Sequence, residues 1–212
     1  MKTMRIVVAG TPGAGKSTFV RTISEIEVVD TERTATDETG LLKKKTTVAF
    51  DFGRVSFGSI MELQIYGTPG QSRFNFMWDF LIKNAHTYIL LVAAHRPDDV
   101  HYARQILSFM NQRAKIPMIV GLTHTDCPGA CSQDELLIRL GYMNDRHRPP
   151  IVHVNPTVRA SVIEALMTMM AILLAQYGTD QPLQVGQTNP PPQTPSRNTY
   201  QFSTASLFSR GR

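Results

Sequence analysis

Gly10-Thr-Pro-Gly-Ala-Gly15-Lys16-Ser17-Thr18 fits the spacing G-x-x-x-x-G-K-[ST] without a gap, and no other stretch restricts the fold of this chain as tightly. Immediately before it, Met4-Arg-Ile6-Val7-Val8-Ala9 is short, apolar and β-branched, which predicts a buried strand. After it, Phe19, Ile23 and Ile26 recur at helical spacing. Strand, glycine-rich turn and helix, in that order, form the context in which this motif carries chemistry. Glycines let backbone N–H groups close around a phosphate with no Cβ in the way. The start of the following helix adds unpaired N–H donors and partial positive charge. We therefore expect Gly10, Thr11, Pro12, Gly13, Ala14, Gly15, Lys16, Ser17 and Thr18 to line a phosphate site. Lys16 would reach the outer phosphates and the Ser17 hydroxyl would ligate Mg²⁺.

The chain then runs through alternating elements. Residues 29–46 are polar and threonine-rich and predict a long loop, which beside a phosphate site is expected to be functional. Thr47–Phe57 and Ile60–Tyr66 alternate around Gly58-Ser59 and predict a β-hairpin. Gly67-Thr68-Pro69-Gly70-Gln71 lies at a strand end, where ligands bind in open α/β sheets. Residues 74–84 predict an aromatic-rich helix, mostly core, Trp78 included. Further strands are expected at 87–94, 117–122 and 151–154, and further helices at 98–114, 132–140 and 157–177. Val158, Val162, Leu166, Met169 and Leu174 belong to the expected apolar stripe of the last helix. Ser132-Gln-Asp-Glu135 reads as a capping box and Gly141 as a stop. Strands alternating with helices predict a doubly wound α/β domain of about six strands over residues 1–177. Residues 178–212 hold five of the 13 prolines and predict a disordered Pro/Gln/Ser/Thr-rich tail.

Composition excludes some classes. The net charge of +5 is mild and scattered, too weak to argue for nucleic acid. No stretch approaches the roughly 20 apolar residues of a membrane span. With only two cysteines, no secretory leader and no lipidation site, a cytoplasmic chain is expected. Cys127 and Cys131, with His124, offer at most three metal ligands, and two free thiols are expected.

Beyond the phosphate loop, Thr47 precedes Val48-Ala49-Phe50-Asp51, Gly67-Thr68-Pro69-Gly70-Gln71 ends a strand, and Thr123-His124-Thr125-Asp126 ends another. Together these resemble a Ras-superfamily small GTPase over about residues 4–177. The runs Thr46–Gly53 and Tyr66–Phe74, with Met77-Trp78, are similar to a bacterial branch that includes conservon-type and mutual-gliding GTP-binding proteins. The resemblance implies a P-loop NTPase G domain, with a six-stranded, mostly parallel sheet flanked by helices on both faces. It implies GTP and GDP as ligands and Mg²⁺ held by Ser17 and Thr47. Gln71 would orient the attacking water, and Lys16 and Thr47 would assist. Gly70 would bond the γ-phosphate, and Thr123, His124, Asp126, Asn155 and Pro156 would surround the base. Regulatory partners in that branch are of the Roadblock/LC7 type, and effectors would meet residues 29–47 and 67–84.

Three positions depart from the family pattern. Gly67 stands where an aspartate holds Mg²⁺ through water, so the metal is expected to bind more weakly or to lean on Asp51 or another acid. His124 replaces a lysine along the guanine pocket, and Asn155-Pro156-Thr157 stands in for Ser-Ala-Lys. Asp126 carries base identity, because one carboxylate can accept from both N1–H and N2–H₂ of guanine. No internal arginine finger is evident. Lys43–Lys45 and Arg73 are the nearby cations, so hydrolysis is expected to be slow until a partner assists. The alternatives are a non-hydrolysing G-domain adaptor and a P-loop kinase or ATPase.

Overall fold

The computed structural model describes residues 2–30, 50–70, 75–142 and 148–177. The chain divides into two units, Met1–Asp180 and Gln181–Arg212, and every described residue falls in the first. The expected tail, and residues 31–46 of the loop expected at 29–46, lie outside the described residues.

Strand β1 (Lys2–Gly10) leads into α1 (Lys16–Ile23). A two-residue strand β2 (Val29–Asp30) comes next, then β3 (Asp51–Phe57), β4 (Met61–Gly67) and α2 (Asn75–Lys83). The second half alternates β5 (Thr87–Ala93), α3 (Val100–Arg113), β6 (Met118–Thr123), α4 (Gln133–Leu140), β7 (Ile151–His153) and α5 (Arg159–Tyr177). The sheet order is β2-β3-β4-β1-β5-β6-β7. Strands β4, β1, β5, β6 and β7 pair in parallel, while β3 pairs antiparallel with β4 in the expected hairpin. The six expected strands are present. Val29 and Asp30, read from sequence as the start of a loop, instead pair antiparallel with Phe52 and Asp51 at the sheet edge.

The pattern that makes β1 and β5 continuous apolar runs also gives the sheet two buried faces. Val7 and Ala9 of β1, with Tyr88, Leu90 and Val92 of β5, point toward Trp78, Ile82, Val100, Ile106, Met110 and Leu136 on α2, α3 and α4. Their neighbours Ile6, Val8, Ile89 and Leu91 point the other way, toward Phe19, Val20 and Ile23 of α1 and Val162, Leu166 and Met169 of α5. Gly53 lets α1 approach the sheet, since a Cβ there would stand 2.8 Å from Val20 Cγ1. Ser132 Oγ accepts from Glu135 N–H at 3.2 Å and starts α4, which ends at Gly141. Not every apolar residue is core. Phe76 and Phe80 of α2 and Leu174 of α5 are exposed on helix faces turned away from the sheet, and Val158, just before α5, is exposed too.

Strand β1 is the point where the chain's winding reverses. Its neighbours β4 and β5 lie on opposite sides, and the crevice beyond its carboxyl end is the topological switch point where such sheets bind ligands. Residues 11–15 lie there.

Candidate functional site

The phosphate-loop motif forms a tight cradle. Gly10 has φ +150°, and a Cβ there would stand 2.3 Å from Leu91 O on β5. Gly15 has φ +91°, and a Cβ there would stand 2.7 Å from Pro156 Cγ. Only glycine satisfies both constraints at once. Lys16, 7% exposed, donates from Nζ to Thr11 O at 2.7 Å, so its ammonium crosses the loop it belongs to. Ser17 and Thr18 follow in the first turn of α1, both part-exposed. Thr11 Oγ1 is buried and has no hydrogen-bond partner among the described residues.

The end of β4 is pressed onto this loop. Thr68 N–H donates to Val8 O at 2.9 Å. At Gly70 a Cβ would lie 3.1 Å from Lys16 Nζ and 3.1 Å from Pro12 Cα, so a side chain there would be tight against the lysine and the loop. Two side chains hold this backbone from behind. Trp78 Nε1 donates to Pro69 O at 2.9 Å, and Tyr102 Oη donates to Gly70 O at 3.2 Å. Trp78 itself packs edge-on against Phe109. Sequence reasoning assigned Trp78 to the core; its second task, holding Pro69, needs a hydrogen bond that no pattern reveals.

Asp51, 8% exposed, pairs across the hairpin with Gly67. A Cβ on Gly67 would stand 3.0 Å from Asp51 Oδ2. The Asp51 carboxylate thus occupies, from the adjacent strand, the space that glycine leaves at position 67. Mg²⁺ prefers oxygen ligands and keeps several waters. The Ser17 hydroxyl and the buried Asp51 carboxylate are chemically suited to it.

An open cleft of about 480 Å³ lies beside the loop. Gly15 and Thr18 form one wall, His124 to Cys127 a second, and His153 to Thr157 with Ser161 a third. Thr123 is buried behind the cleft, and its Oγ1 lies 3.1 Å from Ala14 O and 2.9 Å from His124 Nδ1. Its position ties β6 to the phosphate loop. His124 adopts φ +56°, uncommon for a residue with a side chain, and its ring lies 4.6 Å from that of His95. Burial first, and then the neighbouring His95, hold the His124 imidazole below its ordinary pKa. Asn155 and Pro156, a poor match to the family pattern in sequence, are brought to this cleft; Thr22 Oγ1 donates to Pro156 O at 2.6 Å. His153 and Ser161 also line it and carried no sequence signal.

Arg96 also meets the phosphate loop, and the sequence did not single it out. It follows β5, donates from Nη1 to Pro12 O at 3.1 Å, and pairs with Asp99 at 2.7 Å. Cys131 is buried, its thiol raised by burial, and Cys127 is part-exposed; both are free. Among the described residues no three His, Cys, Asp or Glu side chains are grouped to hold a metal. Thr47, Gln71, Lys43–Lys45 and Arg73 lie outside the described residues.

A glycine-rich loop crossed by its own lysine, at the switch point of a mostly parallel sheet, defines a P-loop protein with the small-GTPase type of α/β fold. The chain belongs to the family described as conserved hypothetical ATP binding proteins, whose model matches residues 26–177. That match begins after the phosphate loop. Among solved structures the fold is similar to the Arl6/BBS3 small GTPase of Trypanosoma brucei, determined with the nucleotide analogue GppNp. The TM-score is 0.64 at 15% identity, covering 83% of this chain and all of that one. At that identity the likeness is one of fold. Among the described residues no helix is long and apolar enough to cross a membrane.

Proposed function

We propose that this chain binds GTP and GDP, and acts as a molecular switch that hydrolyses GTP slowly until a partner assists. The observation that carries the reading is that Asp126 and the phosphate-loop residue Gly15 line one cleft. A purine there would have its phosphates on the loop and its Watson–Crick edge on a carboxylate. An acceptor pair suits guanine N1–H and N2–H₂ and opposes adenine N1.

Lys16 and the loop amides would neutralise the β- and γ-phosphates, and Gly70 would present its backbone to the γ-phosphate. Mg²⁺, held by Ser17 with Asp51 behind it and by Thr47, would add positive charge at the phosphate oxygens. Gln71 is assigned to orient the water. Loss of the γ-phosphate would remove the reason for Gly70 to stay against Lys16, and residues beyond it would be released. Phe76 and Phe80, 58% and 63% exposed, give α2 an apolar face on the segment where a partner would sense that change. By resemblance, that partner is of the Roadblock/LC7 type and the chain falls in the bacterial branch.

The family's description as ATP-binding favours a second reading, in which the ligand is ATP. Displacement of a fluorescent GDP by GTP and by ATP separates the two. The guanine reading expects GTP to win by at least a hundredfold, since a lost pair of charge-assisted bonds costs about 3 kcal/mol or more. Equal displacement overturns it. Phosphate release faster than ~1 s⁻¹ from the isolated chain would overturn the slow-switch part.

A further inference from the structure

The stretch that follows β5 has two faces. On one, Arg96 Nη1 donates to Pro12 O at 3.1 Å, and Nη2 pairs with Asp99 at 2.7 Å. Three residues on from Asp99, Tyr102 Oη donates to Gly70 O at 3.2 Å. One short piece of chain, the helical turn Pro97–Asp99 running into α3, thus grips both the phosphate loop and the end of β4.

On the other face, the same piece lines a second cleft of about 320 Å³, formed by Pro97, Asp98, Val100, His101 and Arg104 with Arg139 of α4. Asp98, His101 and Arg104 recur at every third residue and are exposed. Arg104 makes no hydrogen bond or ion pair among the described residues, and neither does Asp98. The Arg104 guanidinium lies 3.4 Å from where a Cβ on Gly141 would stand, so the glycine that ends α4 leaves room for it. Glu135 Oε1 accepts from Nε and Nη2 of Arg139 at 3.1 and 2.7 Å. Those bonds fix the plane of the Arg139 fork and leave its Nη1 to donate elsewhere.

We propose that this cleft docks an acidic residue of a partner peptide. Its carboxylate is taken by Arg104 and Arg139, and its backbone N–H donates to Asp98. Guanidinium forks match a carboxylate. The Asp98 carboxylate repels a phosphate dianion and calls for a donor beside the ligand's acid. The charged lining is exposed, so the cleft does not enclose a free small molecule as ligand pockets do. Occupancy ties down the outer face of the Pro97–Arg104 stretch and with it the grip on Pro12 and Gly70. The docking stands by itself, while this coupling rests on the nucleotide reading above.

The test titrates the GDP-loaded full chain with N-acetyl-glutamate N-methylamide at constant ionic strength. Backbone amide NMR shifts of residues 98–104 and 139 report binding, and release of fluorescent GDP reports coupling. The shifts should saturate in wild type, and affinity should fall about tenfold or more in Arg104→Ala. At saturation GDP release should slow about fivefold, the low end of couplings between sites. An equal response to the glutamine analogue, or an unchanged response in Arg104→Ala, would overturn the docking site. Tighter binding of inorganic phosphate or of free glutamate would overturn its assignment to a peptide residue. Saturable shifts with unchanged release would overturn the coupling alone. If the chain holds no fluorescent GDP, the nucleotide reading fails with the coupling, and the shift titration on the unloaded chain still decides the docking site.

Discussion

Asp51 Oδ2 lies 3.0 Å from where a Cβ on Gly67 would stand, and under the magnesium reading proposed above Asp51 is the acid that would serve the metal. The two residues are register partners across the β3–β4 hairpin. Asp51→Asn keeps the shape and removes the charge. Loss of such an outer-sphere carboxylate costs about 10- to 100-fold in metal affinity, and that drop is expected in Mg²⁺ titrations followed by the release rate of fluorescent GDP. Gly67→Asp alone should not help, since two carboxylates would crowd one site. The double variant Asp51→Gly with Gly67→Asp should recover part of the loss. An Asp51→Asn protein with unchanged Mg²⁺ dependence would remove Asp51 from the site.

The grip on the end of β4 gives a second expectation. Trp78 is the only tryptophan, and its ring N–H holds Pro69 one residue before Gly70. Emission from this single fluorophore should therefore differ between the GDP-bound protein and the protein bound to a non-hydrolysable GTP analogue. Tyr102→Phe removes the donor to Gly70 O. A hydrogen bond of this kind is worth about 1 kcal/mol, so affinity for the GTP analogue should fall roughly fivefold while GDP affinity stays put. Equal losses for both nucleotides would mean that Tyr102 supports the fold and not the γ-phosphate contact.

These relationships mark how far sequence reasoning reaches. The strand–loop–helix around Lys16 was legible because apolar period, glycine spacing and lysine position are all local. The hairpin was legible from alternation and Gly58, and α3 from the period of Val100, Ala103, Ile106 and Met110, all buried. Asp51 was reachable only as an alternative acid, because its approach to Gly67 depends on register, a non-local property. Val29–Asp30 was missed because a two-residue edge strand carries no periodic signal. Arg96 and His95, in the turn after β5, and His153, at the end of β7, take positions set by tertiary packing. The helix at 74–84 was read as mostly core, without saying which of its aromatics face out, because composition speaks of hydrophobicity and not of which helix face meets the sheet; Phe76 and Phe80 are the exposed ones.

Protonation gives a further test. His86 Nδ1 accepts the backbone N–H of Arg5 at 3.0 Å. Burial first, and then Arg5, hold its pKa below the ordinary 6.5. His124 is held low as well, by burial and then by His95. With both folded values depressed, the unfolded chain takes up protons first as pH falls. Stability is complete above pH 6.5 and is lost as pH drops from there through the folded values. Denaturant unfolding of the nucleotide-free protein from about pH 8 to about pH 5 should show a plateau followed by a decline. His86→Asn keeps an acceptor for Arg5 without titrating, and Asn at 124 tolerates the left-handed backbone. The doubly substituted protein should decline less. A decline of equal slope in both proteins would assign the pH dependence elsewhere.

Arg96 offers the sharpest separation of nucleotide retention from stability. Its pair with Asp99 is partly exposed, and such pairs contribute roughly 0–1 kcal/mol to folding. Its bond to Pro12 O, by contrast, braces the phosphate loop from outside. A Cβ on Gly13 would stand 2.8 Å from Arg96 Nη1, so guanidinium and loop are in direct contact. Arg96→Ala should leave the melting temperature of the nucleotide-free protein within about 4 °C of wild type. It should speed release of fluorescent GDP by about five- to tenfold, the value of one lost hydrogen bond of ordinary strength. Arg96→Lys, which can reach one acceptor but not grip two at once, should fall between them. If release is unchanged while melting drops sharply, Arg96 belongs to the fold and the loop is braced by Thr123 and Pro156 alone.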